Sequence, residues 1–146
     1  LFGGTPLDIM SVGENLNTPF GDTEDNIAAL LRYEDGFAVA EGTWTTPRRR
    51  MPTGPEAVCS EGVVWCDGVP DGEAFASAAD IYGNDLTVDA AADDDDFRNM
   101  PWQYAAHVER GLPMHETLTA EFNADVVAMI EAAERSNASR KAERVL

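Results

Sequence analysis

The sequence predicts an α+β domain, a mostly antiparallel, open-faced β-sheet with two C-terminal helices packed on one face. Three observations predict it. Between residues 7 and 88 short apolar runs are separated by Gly, Asp, Asn and Pro, which reads as strands joined by turns. After the acidic block at 93–96 the apolar period changes from two to about 3.6. Strands that all precede the helices, instead of alternating with them, suit helices gathered on one side of an antiparallel sheet.

Taken in order, Leu1-Phe2-Gly3-Gly4 reads as the end of an element, the glycines acting as a helix stop. Pro6 leads into an alternating run at 7–12 fit for a strand, and residues 14–24 have a loop composition. The stretch 25–46, DNIAALLRYEDGFAVAEGTWTT, organises the rest. Its two apolar runs flank Glu34-Asp35-Gly36, and Asp-Gly in that position predicts a hairpin because Gly accepts the positive φ of a tight turn. Ile27, Ala29, Leu31 and Tyr33 share one face of the first strand, leaving Ala28, Leu30 and Arg32 on the other. In the second strand Phe37, Val39 and Glu41 alternate with Ala38, Ala40, Gly42 and Trp44. Neither face is cleanly polar, so both are expected to be at least partly covered.

Residues 47–55 form a second loop that carries Arg48-Arg49-Arg50. Residues 57–59 and 63–65 make a second hairpin, 67–77 a loop, and 81–82 with 86–88 a third strand–turn–strand unit around Gly83-Asn84-Asp85. Asn99 is placed to cap a helix with Trp102, Ala105 and Val108 on one face, ended by Gly111 and Pro113. Thr119 is the N-cap of a second helix, with Glu121 in its positive first turn. Phe122, Val126, Met129, Ile130 and Ala133 form its buried stripe.

At 146 residues with 44% hydrophobic content, the chain suits one domain with a proper core. Acidic residues number 27 against 10 basic, a net charge of −17, and Lys141 is the sole lysine. Such a field repels nucleic acid and anionic membrane, so neither is expected as a partner. The acids are spread along the chain, which reads as a surface adapted to high salt, where screening removes self-repulsion. No apolar run reaches membrane-spanning length and no basic, apolar signal opens the chain, so a cytoplasmic location is expected. The opening on Leu1 leads us to expect a piece of something longer. Cys59 and Cys66 read as reduced, small apolar residues, and with His107 and His115 they lack the spacing of a metal site.

The segment DNIAALLRYEDGFAVAEGTW resembles the sheet hairpin in the C-terminal domain of the Gfo/Idh/MocA oxidoreductases: an acidic residue, small and apolar residues, an aromatic, a turn with Gly, and a strand ending in Thr-Trp. WQYAAHVERGLP resembles the family's helix ending in Gly-x-Pro, here Gly111-Leu112-Pro113. ETLTAEFNADVVAMIEAAERS resembles its last long helix, ending in Ala132-Ala133-Glu134-Arg135-Ser136. Where the family usually has a Gly-basic pair, this chain has Arg140-Lys141. The resemblance implies that residues 1–146 are a single C-terminal domain for substrate-side and oligomerisation roles in an NAD(P)-dependent sugar or polyol oxidoreductase. It places the catalytic lysine and the NAD or NADP site in an N-terminal Rossmann domain missing from this chain. It also implies pairing of the open sheet face with another subunit, giving a homo-oligomer.

The residues themselves agree on what is missing. There is no G-x-G-x-x-G, no P-loop and no nucleophile elbow, so no catalytic, cofactor-binding or metal-binding residue is assigned. His107 reads as a surface or helix-packing residue, His115 lies in a Pro-flanked loop, and the 93–96 acids read as solvated. Tyr33, Phe37, Val39 and Trp44 are the candidate subunit interface, against the alternative of ordinary core packing. Arg48, Arg49 and Arg50 are a candidate contact for an anionic substrate group, since guanidinium pairs bidentately with carboxylate or phosphate; the competing reading is a solvated loop paired with nearby acids. A stand-alone, non-catalytic binding or assembly module is the alternative function.

Overall fold

The computed structural model describes residues 4–19, 21–45, 54–67, 75–88 and 100–146. They gather in two compact units, one within Leu1–Thr46 and Asp96–Leu146 and the other within Pro47–Asp95. The class is the predicted one, α+β with antiparallel strands and two helices, but where one sheet was expected the strands divide between two four-stranded sheets.

In the first unit, β1 (Asp8–Glu14), β2 (Asn26–Arg32) and β3 (Phe37–Thr43) are joined by β8 (Glu143–Arg144) in the order β3-β2-β1-β8. The predicted central hairpin is β2–β3, closed by the Arg32↔Phe37 pair and by the Tyr33 N–H donating to the Gly36 carbonyl at 2.9 Å. The reason given for it from sequence needs correcting, because Gly36 is not among the glycines with positive φ. The four-residue connection closes without a left-handed residue at that position.

Helix α2 (Ala120–Ser139) starts at the predicted cap, where the Thr119 hydroxyl accepts the Phe122 N–H at 3.3 Å. It lies on the sheet face formed by Ile9, Leu31 and their neighbours, and the core cluster is Ile9, Leu31 and Ala132. The predicted stripe is corrected in part. Met129 and Ala133 pack against the core, but Phe122 and Ile130 are exposed, and Ala132 and Ser136 are the buried positions. Small residues near the C-terminal end let helix and strand approach closely, and that close seam takes over from the bulkier stripe.

The seam is also hydrogen-bonded. The fully buried Ser136 hydroxyl accepts the Ser11 N–H at 2.9 Å and donates to the Lys141 carbonyl at 2.6 Å. Asn137 accepts the Gly13 N–H at 2.9 Å and returns its amide to the Gly13 carbonyl at 3.1 Å. Strand β8 pairs with β1 only at Asp8 and Ile9. Beyond that point the side chains of α2 supply the partners that a longer strand would have supplied.

Helix α1 (Met100–Arg110) ends, as predicted, at Gly111, which takes φ 70° and donates to the His107 carbonyl at 2.9 Å. Its predicted face is corrected: Trp102, Ala105 and Val108 are exposed, and Ala106 is the buried residue.

The second unit is the sheet β4 (Glu56–Cys59), β5 (Gly62–Asp67), β6 (Phe75–Asp80) and β7 (Asp85–Leu86) in sequential order. The β4–β5 hairpin was predicted. Strand β6 was not, because Ala76, Ala78 and Ala79 carry little alternation and little β-propensity; pairing with β5 imposes the strand. Ile81 and Tyr82, expected in a strand, are in a turn instead. The Asp80 carboxylate accepts the N–H groups of Tyr82 and Asn84, each at 2.9 Å, and bends the chain there. Gly62 has no substitute in this sheet, since a Cβ there would collide with the Ala79 carbonyl. Cys59 and Cys66 are free thiols.

Candidate functional site

Strand parity sets the two faces of the first sheet. Ile9, Ser11, Ala29, Leu31 and Ala38 lie toward α2, and the alternate residues form the open face. Register aligns the open face in rows: Arg144, Asp8, Arg32 and Phe37; then Met10, Leu30 and Val39; then Val12, Ala28 and Glu41; then Glu14, Asn26 and Thr43. Met10, Val12, Leu30, Phe37 and Val39 are between 45% and 68% exposed, so five large apolar side chains stand together on one side of three adjacent strands.

Polar groups frame it. Arg32 holds Asp8 through Nε at 3.1 Å and through Nη2 on the other carboxylate oxygen, a bidentate pair. That hydrogen bond keeps the Asp8 carboxyl below its ordinary value of 3.8, with Arg32 and Arg144 charges adding to it, and it raises the Arg32 guanidinium. At the opposite end Arg140 reaches Glu14 at 2.7 Å. There too, the Asn26 amide donates to the Thr45 hydroxyl at 3.0 Å while Thr43 donates to the Asn26 carbonyl at 2.5 Å.

Behind that end sits Asp25, only 4% exposed. Its carboxylate accepts the backbone N–H groups of Leu16, Asn17 and Thr18 at 2.8, 2.9 and 2.7 Å and the Asn26 amide at 2.7 Å. The Leu16 N–H leads in driving its pKa far below 3.8; burial opposes, and the Asn17, Thr18 and Asn26 bonds outweigh it. The acidic residue that opens the hairpin motif is therefore the anchor of the β1–β2 loop.

Of the four predicted interface residues, the structure brings two together. Phe37 and Val39 are neighbours on the open face. Tyr33 lies at the other parity and packs against the Ile9–Leu31–Ala132 cluster. Trp44 follows the end of β3, 91% exposed, with its N–H bonded to the Asp25 carbonyl at 2.9 Å. Met10, Val12 and Leu30 complete the patch and were not named from sequence. Their signal was present in β1, where Met10 and Val12 are apolar although Ile9 already supplies the core. Arg48, Arg49 and Arg50 lie outside the described residues, as do the 93–96 acids.

His107 Nδ1 lies 2.7 Å from the Leu112 carbonyl and His115 Nδ1 lies 2.8 Å from the Thr117 hydroxyl, both in local turn-closing contacts. Among the described residues no group of three His, Cys, Asp or Glu side chains is placed to hold a metal ion, and no helix is long and apolar enough to cross a membrane.

No protein-family model matches the sequence, and no curated protein matches it. Solved structures share its fold. A Bacillus subtilis protein designated an oxidoreductase, yvaA, superposes with a TM-score of 0.70 at 16% identity, over 99% of this chain and 48% of its own. A Klebsiella pneumoniae protein with the same designation gives 0.70 at 14% identity, over 98% of this chain and 45% of its own. A second Klebsiella pneumoniae structure, described as an NAD binding oxidoreductase, gives 0.63 at 14% identity, over 97% and 46%. The chain thus has the fold found in a little under half the length of these solved chains.

Proposed function

We propose that this chain is the C-terminal domain of a cytoplasmic NAD(P)-dependent oxidoreductase acting on a sugar or polyol, and that its work is to wall the substrate pocket and to join subunits. The carrying observation is the open face, with Met10, Leu30 and Val39 in one row and Val12 and Phe37 beside it. The half-length likeness to solved chains designated oxidoreductases supports the reading, since a dinucleotide-binding domain would fill the remainder. The sequence offers no glycine-rich strand–turn–helix for a pyrophosphate, so no step of hydride transfer is assigned to its residues. Its part in catalysis is to shape and close the substrate side.

Two measurements test this. Reading the gene upstream of the Leu1 codon should reveal, in the same frame, a Gly-rich βαβ unit; a start codon directly before Leu1 would instead favour a stand-alone assembly module. Light scattering on the purified protein in concentrated salt should give a dimer or larger species that Val39→Asp weakens by about tenfold or more, because a buried carboxylate without a partner is costly. A strict monomer at all concentrations would remove the association role.

A further inference from the structure

The charge of the open face differs from that of the chain. The sequence as a whole carries 27 acidic and 10 basic side chains, a net charge of −17. On the open face the register places Asp8, Glu14 and Glu41 with Arg32 and Arg144, and Arg140 reaches in from the end of α2 to Glu14. With Arg140 counted, three acids meet three bases there among the described residues.

The occupant that fits such a face is another copy of the chain. A basic partner would be drawn to the acidic remainder, not to a balanced apolar patch. A surface carrying equal numbers of both signs can face itself across a two-fold axis without local repulsion. What then opposes pairing is the long-range repulsion between two strongly negative molecules. Salt removes that term, since the screening length falls from about 10 Å at 0.1 M to about 3 Å at 1 M. Salt also weakens the Asp8–Arg32 and Glu14–Arg140 pairs, but exposed ion pairs contribute little. Apolar contact is not weakened by salt.

Resting on the association reading above, we infer that salt gates this face: at low ionic strength the acidic remainder holds copies of the chain apart, and screening lets them pair through Met10, Val12, Leu30, Phe37 and Val39. Sedimentation equilibrium tests it on the wild type, Val39→Asp and the milder Val39→Ser, in sodium chloride from about 0.1 M to about 2 M and in sodium sulfate at matched ionic strength. The wild-type association constant is expected to rise about tenfold or more across the series, alike in both salts, with both variants weaker throughout. A flat or falling constant, with the variants still weaker, overturns the gating and leaves the surface standing. A far steeper rise in sulfate than in chloride at equal ionic strength overturns it too, because solvent exclusion and not charge screening would be acting. Wild type and variants that associate equally, or a monomer in every condition, overturn the surface itself.

Discussion

The Asp25 carboxylate takes three successive backbone N–H groups and one side-chain amide, and it does so while nearly hidden from solvent. Those donors are all oriented toward negative charge, so Asp25→Asn replaces an anion by a neutral group that also points a donor at donors. The variant is expected to melt several degrees lower and to loosen the β1–β2 loop, seen as faster amide exchange at Leu16, Asn17 and Thr18. The wild type should show the same dependence through pH. Because the folded-state pKa lies below the ordinary 3.8, the contribution is complete well above that value and is lost as the pH falls through it toward the folded value. Asp25→Asn should flatten that acid limb, and an unchanged limb would show that Asp25 is not its source. From sequence this residue was visible only as the acidic start of a motif. Three of its four partners are backbone groups seven to nine positions earlier, and no side-chain pattern announces backbone donors.

Elements were legible where a local rule fixed them. The Thr119 cap, the Gly111 stop and the β4–β5 hairpin follow from short-range chemistry and stand; the β2–β3 hairpin stands too, although Gly36 does not take the positive φ expected of it. Faces were legible only in part, because which apolar stripe a helix buries depends on how near the strand comes, and Ala132 and Ser136 win over Phe122 and Ile130 by being small. The end of α2 carries a further lesson. Arg140 stands at φ 59°, the one positive-φ residue other than glycine among those described, where the resembling family usually has glycine. A left-handed non-glycine costs roughly 1 kcal/mol. The Arg140–Glu14 pair and the cation at the helix C-terminus offset roughly that amount at low salt and less when screened. Arg140→Gly is therefore expected to be within about 0.5 kcal/mol of neutral in dilute buffer and stabilising by up to about 1 kcal/mol in molar salt. Urea unfolding at the two salt concentrations measures the difference, and a loss of stability in both would mean that the ion pair outweighs the backbone.

At the scale of the whole molecule, the two units differ in how much they bury. The first has Ile9, Leu31, Ala106 and Ala132 below a tenth exposed, with the C-terminal end of α2 hydrogen-bonded to β1; in the second, Ala78 is the buried hydrophobic among the described residues. Hydrogen exchange followed by mass spectrometry should find peptides of β1, β2 and the second half of α2 the slowest, and those of β4 to β6 faster by about tenfold or more. Equal protection in both would mean that the second sheet has cover of its own. The class and most of the elements were legible in the sequence, but β6 and this division were not, since strand signals report local alternation and say nothing of which strands share a sheet.

Ser136 and Asn137 have a consequence for growth. By occupying the Ser11 and Gly13 backbone groups they plug the margin of β1 that the two-residue β8 leaves bare, so no foreign strand can be added there in fibre-like fashion. Enlargement along that margin is closed off, and a patch as greasy as the one opposite α2 is safer for it.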